Sequence, residues 1–244
     1  MTARRAPFDA RFSPALPMTL RQLRSSLRDG ESLAMTIGDP SGGPVGGSTA
    51  ALLAAVVEGA GFDEIAIRRT SFHHVVAARR ARSIADTVDD NMRLLLVGLN
   101  PSPDAAEAGV GFARSGNRFW PAALAAGLAD RDRDPDRALA HHHVGMTDLA
   151  KRTTSRADEV APAEFRRGIE RLDLMCAWLH PAAVCMVGLS GWRLAVDRRA
   201  KVGWQERAIG GRPVFVMHNP SGLNAHVQVA DLAEQLRAAA AGPT

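Results

Sequence analysis

Two stretches of this chain place small, polar and rigid residues directly after apolar runs. Gly98-Leu99-Asn100-Pro101-Ser102 follows Leu94–Val97, and His218-Asn219-Pro220-Ser221-Gly222-Leu223 follows Val214–Met217. In parallel α/β sheets, ligands bind beyond the carboxyl ends of the strands, so these turns are where chemistry is to be sought. Their residue types suit a close approach of backbone to a ligand, although each alone also reads as an ordinary chain reversal. Other reactive side chains carry weaker signals. His141-His142-His143 would hold a metal only if further ligands converged, and otherwise reads as a solvated loop. His73-His74 falls in a strand pattern, where neighbouring side chains face opposite sides and share no ligand. Lys151 raises the question of a Schiff-base reaction.

The elements that must carry these turns fall into two groups. Residues 1–83 read as a small α/β unit: a helix at Leu20–Leu27, an apolar strand Ser32–Ile37, a Gly/Pro/Ser-rich stretch Gly38–Ser48, a helix Thr49–Gly59, and two strands, Glu64–Arg69 and His74–Ala78. Residues 84–244 read as a second domain. It opens with a short helix near Ala81–Val88 and the fully apolar strand Leu94–Val97. A helix from Arg118–Trp120 to Gly127, with Asn117 as its N-cap, and a helix Ala163–Trp178 follow. Then come a strand Ala183–Val187, a helix Gly191–Arg199, the strand Val214–Met217 and a last helix Val227–Ala240. Strands alternating with helices predict an α/β fold, a three-layer α/β/α sandwich around a mostly parallel central sheet.

The order and spacing of four blocks carry a resemblance. Gly98-Leu99-Asn100-Pro101-Ser102, Gly111-Phe112-Ala113 with Gly116-Asn117-Arg118-Phe119-Trp120, Gly145-Met146-Thr147-Asp148-Leu149 with Arg152-Thr153-Thr154, and Asn219-Pro220-Ser221-Gly222-Leu223 together resemble the mismatch-specific uracil/thymine-DNA glycosylases, from Leu94 to about Leu236. The strand, helix, strand, strand order of residues 1–83, with Arg28-Asp29-Gly30 before the first strand and Ala60-Gly61-Phe62 before the second, resembles the C-terminal end of a class I S-adenosylmethionine-dependent methyltransferase. The Gly-rich cofactor loop of that family has no counterpart here, so no methyl transfer is expected.

The first resemblance implies a monofunctional hydrolase that cuts the N-glycosidic bond of uracil, and of thymine or ethenocytosine, opposite guanine in double-stranded DNA. It implies base flipping, base excision repair, and no metal or cofactor. Asn100 matches the residue that positions water, since an amide orients water although it is a poor base. Asp148 either assists Asn100 as a carboxylate or is an exposed loop residue. Phe112 matches the aromatic that stacks on the flipped base, a contact worth about 1–3 kcal/mol in single-strand binding systems. Leu99, Ser102 and Asn219 would complete the base pocket, with Ser102 standing where glycine is common and narrowing the mouth. Ser221 and Gly222 would meet the phosphates and Leu223 would wedge into the duplex. Asn224-Ala225 lacks the arginine that relatives place there, which weakens contacts to the opposite guanine and keeps open a mismatch or lesion reader with little turnover. Asn117 to Trp120 are expected to cap and pack the following helix.

Composition sets the bounds. With 244 residues, 46% of them hydrophobic, a sizeable core is affordable. A formal charge of +4 leans towards a polyanionic partner, without the excess of a histone-like chain. Cys176 and Cys185 are too few for a four-cysteine metal site and fit a reducing cytoplasm. No apolar run is long enough to span a membrane. The expected form is an intracellular monomer acting on DNA.

Overall fold

A computed structural model describes residues 4–38, 49–222 and 227–243, with the backbone alone for 4–10. The N-terminal unit runs β1 (Arg4–Arg11), α1 (Leu16–Ser25), β2 (Ser32–Gly38), α2 (Thr49–Gly59), β3 (Phe62–Arg69) and β4 (His73–Arg80). Its sheet has the order β1-β2-β4-β3, with β1 parallel to β2 and β4 antiparallel to both neighbours. The strict alternation of buried and half-buried residues along β2 explains why one face of this sheet is covered by helices.

The second unit runs β5 (Leu94–Gly98), α3 (Pro103–Ala108), α4 (Phe119–Ala126), α5 (Pro135–His142), β6 (Val144–Asp148), α6 (Pro162–Leu179), β7 (Val184–Val187), α7 (Leu189–Ala195), β8 (Gly203–Ile209), β9 (Arg212–Met217) and α8 (Val229–Ala241). Its sheet has the order β6-β5-β7-β9-β8; the first four strands are parallel and β8 closes one edge antiparallel. β5, β6 and β7 are buried along their whole length, as strands covered on both faces must be.

Alternate residues of each strand serve opposite layers. Leu94 and Leu96 of β5 join Cys185, Phe215 and Met217 in a core with Phe119 and Trp120 of α4 and Leu232 and Leu236 of α8. Leu95 and Val97 join Val184, Met186, Val214 and Val216 in a second core with Phe165, Ile169, Leu172 and Met175 of α6 and Trp192 of α7. The α/β/α sandwich expected from the alternating pattern is therefore the observed architecture. The second core continues into the N-terminal unit through Leu53, Val56 and Val57 of α2, which packs against α6. The two units thus share one apolar interior, with α6 as the common wall.

Several local expectations are corrected. Ala81–Val88 forms no helix: Thr87 pairs with Met146 through both backbone groups (2.9 and 2.8 Å), and Asp86 turns inward to buried cations. The helix expected at Gly191–Arg199 begins at Leu189 and ends at Ala195, where the Arg193 guanidinium turns to the Ala200 carbonyl (2.8 Å). Asn117 still caps α4, but from one residue further out, its Oδ1 accepting from the Phe119 amide (2.9 Å) while Arg118 takes the N-cap position. The expected 38–48 stretch lies, after Gly38, outside the described residues.

Two glycines let α6 and α7 lie against the strand ends. A Cβ on Gly168 would stand 2.0 Å from the Leu149 carbonyl oxygen, and one on Gly191 2.4 Å from Leu99 Cδ1. The Leu99 side chain can turn away, whereas the Leu149 carbonyl is backbone. Gly168→Ala should therefore lower stability by roughly 2–4 kcal/mol, outweighing the gain of about 1 kcal/mol in helix propensity. Urea unfolding of the two proteins checks this, and an unchanged midpoint would show that α6 can shift.

Candidate active site

The parallel register of β5 and β6 sets Gly98 opposite Asp148, so both strands end in step. The chain leaves β5 to form β6 on one side and later returns as β7 on the other, which makes this end of the sheet the crevice where α/β folds take ligands. A cavity of about 440 Å³ opens there, lined by Leu99, Asn100, Ser102, Phe112, Asp148, Asn219 and Ser221 among others. Of the described residues proposed from sequence, these seven share the cavity, whereas Gly222 lies on the same turn as Ser221 but does not line it. Leu223, with Asn224 and Ala225, lies outside the described residues.

Asn100 is held by its amino group. Its Nδ2 donates to Thr154 Oγ1 (2.7 Å) and to the carbonyls of Arg152 and Pro101 (both 3.2 Å). The Thr154 hydroxyl gives its own proton to the Arg156 carbonyl (2.7 Å), so it can only accept from Asn100. This chain of donors fixes the amide orientation and leaves Oδ1 as an acceptor with no protein partner among the described residues. The 154 position is in turn tied to the turn itself, its amide donating to Pro101 O (3.1 Å). Thr154 was quoted in the sequence only as part of a motif; its supporting role emerges from this geometry.

Asp148 is buried at the end of β6, 7% exposed, and no donor among the described residues reaches its carboxylate. Burial pushes its carboxyl up to about 6; the Lys151 and Arg171 cations pull the other way, and the Asp86 carboxylate adds to the rise. It is not the exposed loop residue that the sequence also allowed. A Cβ on Gly98 would meet Asp148 Oδ1 at 2.3 Å and Phe112 Cζ at 3.2 Å, so the absent side chain is what lets carboxylate and ring converge.

Phe112 adopts a left-handed backbone (φ 60°), an unfavourable conformation for an aromatic residue. Its ring lies on Phe119 (centroids 4.1 Å apart, 26° between planes), and Phe119 meets Trp120 edge-on at 5.4 Å. Phe119 and Trp120 are buried, and the Trp120 indole donates to Gly111 O (2.9 Å), in line with their expected packing role. The Ser102 hydroxyl caps α3 by accepting from the Ala105 amide (3.3 Å), so at the pocket edge it serves the helix.

The second turn is braced from outside itself. Asn219 Oδ1 accepts from the Ser221 amide (2.9 Å). The Arg118 amide donates to Pro220 O (3.0 Å) and its guanidinium to Ser221 O (2.7 Å) and Val227 O. A Cβ on Gly222 would lie 2.8 Å from Gly116 O, so Gly222 is required for this approach. His218 is fixed to Gln235 of α8, through its amide (2.8 Å) and its ring. Arg118 is a clamp that sequence reasoning assigned only to helix packing.

Lys151 is spoken for: Nζ donates to Asp86 Oδ1 (2.8 Å) and Ile84 O (2.5 Å), and the residue is 9% exposed. That geometry gives it no access to a sugar carbon. His141 and His142 close α5 and His143 terminates it in the left-handed conformation, with His142 Nε2 3.3 Å from Asp130; none lines the cavity.

Residues 85–240 match the family described as the uracil DNA glycosylase superfamily. Among solved structures, the chain is similar to a solution NMR structure named as a candidate uracil DNA glycosylase from Methanosarcina acetivorans. The identity is 19% and the TM-score 0.46, with 63% of this chain and 92% of that chain covered. No described helix is long and apolar enough to cross a membrane. With the family match spanning well over half of its length, this chain belongs to the uracil DNA glycosylase superfamily.

Proposed function

We propose that the protein is a monofunctional DNA glycosylase that releases uracil mispaired with guanine from double-stranded DNA, with thymine and ethenocytosine as further substrates. The observation that carries this reading is the pairing of a fixed amide oxygen with a buried, unpaired carboxylate at one strand-end cavity. The flipped base enters beside Phe112, whose ring is backed by Phe119 and so presents a stacking face without collapsing into the pocket. Asn100 Oδ1 accepts a hydrogen bond from a water, which keeps that proton, and orients the water oxygen at the sugar carbon. The C1′–N bond breaks with the electron pair leaving on the base. Cationic charge on the sugar is stabilised by the Asp148 carboxylate, which takes the other water proton as the C1′–O bond forms; the base leaves as an anion that is then protonated. The products are free base and an abasic site.

The Ser221 hydroxyl, on a turn held by Arg118, meets a phosphate, and Leu223 fills the gap left by the base. This chemistry calls for neither metal nor cofactor, and one copy of the chain suffices on a duplex. The resemblance of residues 1–83 to a methyltransferase C-terminus rests on element order and two short motifs, and no methyl transfer is proposed for it.

Single-turnover release from duplexes holding uracil opposite guanine should fall by roughly 10²–10⁴-fold in Asn100→Ala, with duplex binding preserved. Binding without release by the wild-type protein would instead favour a lesion reader. The rate should rise with pH through about 6 and then level, because Asp148 acts once ionised. In Asp148→Asn this limb should disappear.

The same group makes a stability prediction. Its carboxyl titrates near 6 when folded against 3.8 as the ordinary value, so between these the folded chain binds the extra proton. Stability is therefore lost as pH rises through that window, and Asp148→Asn should exceed wild type above it by roughly 2–3 kcal/mol. Thermal unfolding at pH 4.5 and pH 8 measures the difference; equal gaps at both would place the titration elsewhere.

A further inference from the structure

The C-terminal end of α2 sits directly on buried charges of the second unit. The Gly59 carbonyl accepts from the Asp86 amide (2.8 Å). A Cβ on Gly59 would stand 2.3 Å from Asp86 Oδ2 and 3.0 Å from Arg171 Nη1, so the helix end and the charges are in contact with no room between them. Asp86 and Arg171 are 2% and 4% exposed. Asp86 Oδ1 accepts from Lys151 Nζ (2.8 Å) and Thr147 Oγ1 (2.6 Å), and Oδ2 accepts from Arg171 Nη1 (2.9 Å). Arg171 Nη2 then donates to the Asp148 carbonyl (2.7 Å) and to Thr147 Oγ1 (2.9 Å). A continuous path of hydrogen bonds thus joins the N-terminal unit to the backbone of the residue assigned as the base.

We propose that the N-terminal unit is a structural part of the excision site: Gly59 seats Asp86, and Asp86 with Arg171 and Lys151 positions Asp148 and governs its protonation. Asp86, Arg171, Lys151 and Thr147 are positioning residues, none of them reaching substrate. The inference rests on the reading of Asp148 as the base. The charges that face Asp148 are Lys151 from its own loop, Arg171 from α6 and Asp86 from the segment entering β5, while Glu58 of α2 faces Arg171. The two cations favour the ionised carboxylate and Asp86 opposes it, so the signs of the effects are set by which charge is removed. A buried pair broken on one side leaves its partner uncompensated, which is why the network can transmit a change at the α2 end.

The test is single-turnover uracil release by full-length protein as a function of pH, with folding followed by circular dichroism and duplex affinity measured separately. Asp86→Asn should move the acid limb down by about one unit and Lys151→Met should move it up by about one unit. Gly59→Ala keeps every charge but displaces Asp86, and should slow release by about tenfold with affinity unchanged. Should a charge variant fail to fold, Gly59→Ala and Thr147→Val, which also keeps every charge, decide the matter by the same loss of rate at constant affinity. Limbs at the wild-type position in both charge variants, or wild-type rates in folded Gly59→Ala and Thr147→Val, would overturn the proposal. The underlying reading fails separately: Asp148→Asn would then keep both its rate and its limb. A limb abolished in Asp148→Asn but unmoved by the network variants leaves the base in place and removes only the network.

Discussion

The pairing of Gly98 with Asp148 across β5 and β6 is the constraint on which the site depends. Register between parallel strands is a whole-sheet property, and slipping it by one residue would turn every side chain to the opposite layer. In β5 and β6 that register is held by five successive pairs, from Leu94 with Val144 to Gly98 with Asp148. The backbone hydrogen bonding continues past the strands, from Leu149 to Gly98, Ala150 to Leu99 and Thr154 to Pro101, and so carries strand-like precision into the loop that holds Asn100. Only a glycine at position 98 leaves space for a carboxylate on one side and the Phe112 ring on the other.

Electrostatics then distinguishes two neighbouring carboxylates. Asp86 is buried with two cations and a hydroxyl on it and is held below the usual carboxylate range, chiefly by Lys151 and Arg171 acting against its burial. Asp148 is equally enclosed but receives no hydrogen bond among the described residues, and burial raises it. One group is structural and permanently charged, the other poised to exchange a proton near neutrality. Such divergence between adjacent titratable groups is how an acid–base role is separated from a supporting one. The cost of burying the structural set is met only while all its members are present, which ties the N-terminal unit to the second domain more firmly than an apolar contact alone.

Much of this was legible in the chain. Leu94–Val97 and Val214–Met217 read as buried strands because nothing polar interrupts them, and α6 read as a helix because its apolar residues recur at helical spacing. The turns proposed for the site were singled out because they follow those strands. β6 was missed as a strand because Gly145, Thr147 and Asp148 break its apolar character; it is stabilised by partners on β5 rather than by propensity. β8 lies at an edge with Gln205, Glu206 and Arg207 in a row and no alternating pattern, and α5 is short and His-rich, so neither announces itself locally. The supports of the site were illegible for a different reason. Thr154, Arg171 and Arg118 act on residues 54, 23 and 103 positions away, and no local pattern encodes a hydrogen bond of that span. The apolar interior that the two sheets share was not visible in the sequence.

The most direct test of the account is a crystal structure of the protein on a duplex carrying 2′-fluoro-2′-deoxyuridine opposite guanine, whose electron-poor sugar resists bond cleavage and holds the complex before the reaction. The account predicts an extrahelical uracil stacked on Phe112, with one water between Asn100 Oδ1, the Asp148 carboxylate and C1′. A uracil left in the base stack, or a flipped base with that water held by other groups, would contradict it.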